Sequence, residues 1–111
     1  QVVATDNEGI SGLVFLGYPL HPPGKPDALR AEHLSQIHRP MLFVQGERDT
    51  FGTPAELQPI VNKLTPACAI YSVPNGDHSF TVPKKSPIPQ QDVYAAAQDE
   101  IVRWASLVIG H

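Results

Sequence analysis

Pro40-Met41-Leu42-Phe43-Val44-Gln45-Gly46-Glu47-Arg48-Asp49 decides how this chain is read. Four apolar residues follow the proline without polar alternation, and the run breaks at Gln45-Gly46. A short β-rich run of that kind suits a strand covered on both faces, as strands of a parallel sheet are. Leu13-Val14-Phe15-Leu16, after Gly12, is a second such run. Ala69-Ile70-Tyr71-Ser72-Val73 is shorter in its apolar content and more mixed, which predicts an edge strand.

Helices are predicted between and after these strands. Thr53 reads as an N-cap, with Pro54 at the first helical position and Glu56 three residues after the cap, a capping box. Leu57, Ile60, Val61 and Leu64 recur at helical spacing, and Thr65-Pro66 ends the run. A last helix is predicted from near Asp92 to Gly110, with Val93, Ala97, Ile101, Trp104 and Val108 as its apolar stripe and Trp104 as a core residue. Gln1 to Ala4 is expected to be the tail of another helix, with Asp6-Asn7-Glu8-Gly9 as its exit turn, and a short helix is expected around Asp27 to Leu34. The order (α)βαβαβα implies right-handed crossovers and an α/β fold with helices on both faces of a mostly parallel sheet. With three legible strands, Leu13 to Leu16 would form an unpaired apolar edge, and self-association through it is expected.

The length bounds this further. At 111 residues the chain has fewer strands than a complete doubly wound domain needs. Its opening, Gln1-Val2-Val3-Ala4, has neither an initiator Met nor the pattern of a signal peptide. The chain is therefore expected to be a partial domain, spanning 1–111, cut from something longer. Hydrophobic residues are 41% and charged residues 17%, enough for a core and too little charge for a disordered tail. The net charge is −3 and no basic cluster exceeds Lys84-Lys85, so no nucleic-acid partner is expected. No apolar run approaches a membrane span, and no membrane partner is expected. Cys68 is the single cysteine, which excludes an internal disulfide and fits a reducing cytoplasm, the expected setting.

In an open parallel sheet, ligands bind beyond the carboxyl ends of the strands. Three segments lie there: Gly17 to Gly24, Gln45 to Gly52, and Pro74 to Phe80. Neighbouring strands lie about 4.8 Å apart, so loops leaving the same end can bring Asp49 and His78 into contact.

The chain resembles the C-terminal part of the α/β-hydrolase superfamily, in which an acid follows the penultimate strand and a histidine the last. Met41 to Asp49 is similar to that family's apolar strand, Gly, two residues and Asp; Asn75-Gly76-Asp77-His78-Ser79-Phe80 is similar to its histidine loop. More narrowly, Tyr18-Pro19-Leu20-His21-Pro22-Pro23-Gly24-Lys25-Pro26 followed by Phe43-Val44-Gln45-Gly46 resembles the branch of dienelactone-hydrolase-like and testis-expressed or NSL-complex-subunit-type domains. The resemblance spans essentially the whole chain. It implies that Asp49 is the acid and His78 the base of a Ser-Asp-His triad, and that a serine nucleophile precedes residue 1. An Asp49 carboxylate oxygen should then lie about 2.6 to 3.2 Å from His78 Nδ1. Tyr18, Pro19 and Leu20 would line the substrate cleft, unless they form a purely structural Tyr-Pro turn.

One departure stands out: the chain contains no G-x-S-x-G. Ser11 in Gly9-Ile10-Ser11-Gly12 precedes a strand, whereas the nucleophile elbow follows one, so Ser11 reads as a turn residue. Glu47 and Asp77 are rival acids; Asp77 adjoins His78 and is badly placed to reach back to its ring. His21, His33, His38 and His111 read as surface residues and no metal site is expected, because His33 and His38 are five apart where two ligands on one helical face need four. Pro83 to Pro89 reads as a solvated loop.

These readings predict a parent protein that hydrolyses an ester, thioester or lactone through an acyl-serine intermediate, with a small-molecule acyl substrate and no cofactor. An inactive α/β-hydrolase-like scaffold or binding module in a larger complex is the alternative. A cofactor-binding α/β domain has least support, for want of a Gly-rich strand-to-helix turn.

Overall fold

A computed structural model describes residues 2–6 and 9–109, with side-chain detail for residues 12–108. Its four strands form one sheet in the order β1 (Val2–Asp6), β2 (Gly9–Leu16), β3 (Met41–Gly46), β4 (Cys68–Val73). β2, β3 and β4 are parallel, and β1 runs antiparallel to β2. α1 (Pro54–Val61) connects β3 to β4, and α2 (Gln90–Ile109) follows β4. The architecture is that of a portion of an α/β sheet with flanking helices.

β3 occupies the centre of the parallel part, and all of its residues are buried. Its alternate side chains serve two cores, which is why its apolar run is unbroken. Leu42 and Val44 join Val14 and Val73 on one face, under Val93, Ala97 and Trp104 of α2. Met41 and Phe43 join Phe15 on the other, with Leu57 and Val61 of α1 and with Tyr18, Leu20 and Leu34 from the β2–β3 crossover. The capping box at Thr53 is present in both directions, with Glu56 N–H donating to Thr53 Oγ1 and Thr53 N–H to Glu56 Oε1.

Two expected helices are not there. Val2 to Ala4 belong to a strand; β-branched Val2, Val3 and Thr5 favour extended backbone, and the short step from Asp6 to Gly9 allows only an antiparallel neighbour. Gln1, Asn7 and Glu8 lie outside the described residues. The Leu13 to Leu16 edge is consequently covered in part, Val3 pairing with Leu13 and Val2 with Val14, while Phe15 and Leu16 extend past β1. Ser11, expected in a turn, is inside β2 as the extra residue of an irregularity, since Ala4 pairs with Gly12 and Thr5 with Ile10. Around Asp27 to Leu34 the chain forms turns and a 3₁₀ segment at Glu32–Gln36 in place of a helix. Prolines 22, 23 and 26 supply no donors there, and the N–H groups of Lys25, Ala28 and Arg30 are spent on Pro22, Lys25 and Leu20 carbonyls.

Candidate functional site

The β3 strand delivers its following turn to the carboxyl edge of the sheet. Gly46 O accepts from Asp49 N–H, Asp49 O accepts from Gly52 N–H, and Asp49 Oδ1 accepts from Phe51 N–H at 2.8 Å. Asp49 is 1% exposed, so its charge needs nearby donors to offset lost hydration. Phe51 N–H is one such donor. The other is His78, whose Nδ1 lies 2.9 Å from Asp49 Oδ2.

His78 arrives from the loop after β4, and the β3 turn fixes that loop's path. A side chain at Gly46 would overlap the backbone oxygens of Gly76 and Asp77, so the glycine permits the two loops to cross in contact. Arg48 N–H donates to Gly76 O at 2.8 Å, Arg48 Nε donates to Asn75 O at 2.8 Å, and Glu47 Oε1 accepts from Asn75 N–H at 3.0 Å. Beyond His78, Asp77 Oδ1 accepts from the N–H groups of Ser79 and Thr81, both at 2.9 Å. Glu47 and Asp77 thus hold backbone, and neither carboxylate touches the His78 ring.

The imidazole lies against Phe51, ring centroids 4.4 Å apart, with its side chain 38% exposed. The ionised Asp49 requires a proton on Nδ1, leaving Nε2 as the lone-pair nitrogen of the neutral ring. Among the described residues Nε2 has no hydrogen-bond partner. The arrangement can accept a proton at Nε2 and stabilise the resulting imidazolium through Asp49.

Tyr18, Pro19 and Leu20 do not share one environment. Tyr18 is buried, its ring edge-on to Phe15 and Phe43 and its hydroxyl donating to Arg30 O at 2.5 Å; burial raises its hydroxyl above the ordinary 10.0. Leu20 is fully buried in the core beneath α1, and Pro19 is exposed.

Two residues near the site escape the sequence reading. Gln45 is fully buried, its Oε1 accepting from Tyr18 N–H at 2.9 Å and its Nε2 donating to Tyr18 O at 2.9 Å and Gly52 O at 2.8 Å. This amide joins the loops leaving β2 and β3. His21, expected at the surface, is 5% exposed and pairs with Glu56 at 2.9 Å. His33 and His38 are exposed, and His111 lies outside the described residues. No group of three or more His, Cys, Asp or Glu side chains among the described residues is arranged to hold a metal.

Comparison with known families bears on this geometry. A family model described as an alpha/beta hydrolase domain matches residues 1–106. The chain belongs to this family. The matched span includes both loops of this α/β-hydrolase domain that carry Asp49 and His78. No solved structure matches the chain.

Proposed function

We propose that Asp49 and His78 are the acid and base of a serine-type acyl hydrolase acting on an ester, thioester or lactone. The 2.9 Å contact between Asp49 Oδ2 and His78 Nδ1 carries this reading. A serine hydroxyl becomes a competent nucleophile when an imidazole takes its proton, and a buried carboxylate holds that imidazole in the right tautomer. In the proposal the serine comes from a segment preceding these residues, following the Ser, Asp, His order of the family. Residues 1–111 are then a partial domain, and placement beside the dienelactone-hydrolase-like and NSL-complex-subunit-type branch belongs to the same proposal. The unpaired Cys68 supports a reducing, cytoplasmic setting. No described helix is long and apolar enough to cross a membrane.

The test is turnover of p-nitrophenyl acetate by the chain joined to its upstream segment, with and without His78→Ala. A loss of at least about 10³-fold in kcat supports the proposal. Equal activity in the two proteins removes it. The second reading, an inactive α/β-hydrolase-like scaffold, keeps the same Asp49–His78 contact without a nucleophile. A replaced serine in the upstream segment would select that reading.

A further inference from the structure

His21 lies outside the Asp49–His78 contact, yet its surroundings tie it to that pair. Nδ1 of its ring is 2.8 Å from Pro22 O, and Nε2 is 2.9 Å from Glu56 Oε2. A carbonyl oxygen only accepts. Glu56 is an acceptor too, because its Oε1 takes hydrogen bonds from Thr53 N–H and Thr53 Oγ1, the pattern of an ionised carboxylate. With an acceptor at each nitrogen, both must donate, and the ring that satisfies them is the imidazolium. The His21 side chain is 6% exposed, so water has little access to its ring, although the Glu56 side chain is 35% exposed.

We propose that His21 and Glu56 form a charged strut that positions Asp49 and His78, and that loss of the His21 proton releases it. The backbone at His21 is joined to the acid's own turn: His21 N–H donates to Phe51 O at 2.9 Å, Phe51 N–H donates to Asp49 Oδ1, and the Phe51 ring lies on His78. The groups facing His21 are Pro22 O in its own loop, Glu56 from α1 and Asp49 from the turn after β3. The Pro22 hydrogen bond is the largest influence holding the imidazole above its ordinary 6.5; burial opposes it, and Glu56 and then Asp49 reinforce it. A neutral ring has one N–H and leaves a lone pair against Pro22 O or against Glu56. One contact must then open, and the chain at 21 and 51 loses the clamp between α1 and the acid's turn. His21 is a positioning residue in this scheme. The strut does not depend on the proposed hydrolysis and would operate in an inactive scaffold.

The experiment is a histidine NMR titration of the 111-residue chain from about pH 5 to about pH 9, following ring nitrogens and carbons of His21 and His78. The expected His21 midpoint lies above 6.5, with both nitrogens protonated below it. At that midpoint the His78 Nδ1 proton, shifted downfield by Asp49, should lose intensity through faster exchange with water. Glu56→Gln should move the His21 midpoint downward. His21→Gln, which donates without titrating, should abolish the coupled step at His78; if that variant fails to fold, the wild type and Glu56→Gln decide. A His21 midpoint at or below 6.5, a midpoint indifferent to Glu56→Gln, or a His78 proton unaffected at the His21 midpoint each overturns the proposal. None of these readouts uses turnover, so they separate failure of the strut from failure of the hydrolase reading.

Discussion

A methyl group added to Gly17 would stand 2.8 Å from the carbonyl oxygen of His78 and 3.3 Å from its Nδ1. Gly17 also has φ +68°, a left-handed conformation that costs a residue with a β-carbon about 1–2 kcal/mol. Both effects act on Gly17→Ala, which should lose about 2 kcal/mol or more and displace the His78 backbone. Urea unfolding measures the first and loss of the downfield His78 Nδ1 proton the second. A variant matching wild type in both would show that the β2 exit does not constrain the histidine.

The isolated chain should hydrolyse p-nitrophenyl acetate no faster than free imidazole, and a trapped acyl-serine on it would contradict the assignment. Joined to a serine-bearing segment, Asp49→Asn should cost somewhat less in kcat than His78→Ala. Asp77→Asn should cost little, because the amide oxygen can still accept from Ser79 and Thr81 N–H. Asp77→Ala should cost more than Asp77→Asn, since the loop that presents His78 loses both contacts.

Gln45→Leu should be among the most damaging substitutions near the site. It leaves the Tyr18 N–H, the Tyr18 carbonyl and the Gly52 carbonyl without their partner, in a buried region where each unmade bond costs about 1–3 kcal/mol. A total loss of about 3 kcal/mol or more is expected, read from the denaturant midpoint. A loss below about 1 kcal/mol would mean that water replaces the amide.

Glu56 and His21 set opposite limits on stability with pH. The Thr53 N–H, more than His21, holds the Glu56 carboxyl below its ordinary 4.5, so its contribution is fully present above 4.5 and fades as pH falls through the lowered value. His21, raised above 6.5, contributes fully below 6.5 and loses that contribution as pH rises through the raised value. Both contributions are therefore greatest between 4.5 and 6.5. Denaturant unfolding at a series of pH values should show Glu56→Gln flattening the profile on both sides. An unchanged slope above 6.5 would remove His21 from this account.

What the sequence made legible was whatever local pattern controls. The unbroken run at Met41 to Val44 identifies a strand covered on both faces, and Thr53, Pro54 and Glu56 mark a helix start, because these signals lie within a few residues of what they specify. Asp49 and His78 could be expected to meet because each lies in the loop after one of two neighbouring parallel strands, β3 ending at Gly46 and β4 at Val73. Val2 to Ala4 failed for want of length, since three apolar residues do not distinguish the end of a helix from a strand. His21 looked like an exposed residue in a proline-rich loop; its partner Glu56 is 35 residues away and already explained as a cap. Gln45 was legible as the end of the apolar run but not as a buried tie, because its partners are backbone atoms of Tyr18 and Gly52 in other loops.

The fastening of the histidine loop to the β3 turn also has a mechanical consequence. Arg48, Glu47 and the Gly46 crossing attach Asn75 and Gly76 to the same short segment that carries Asp49. Asp49 and His78 are therefore carried by loops that are fastened to each other. The Asp49 turn and the His78 loop are thereby tied by contacts separate from the 2.9 Å hydrogen bond between their side chains. Displacing the histidine loop therefore means breaking these contacts to the Asp49 turn as well as the side-chain hydrogen bond.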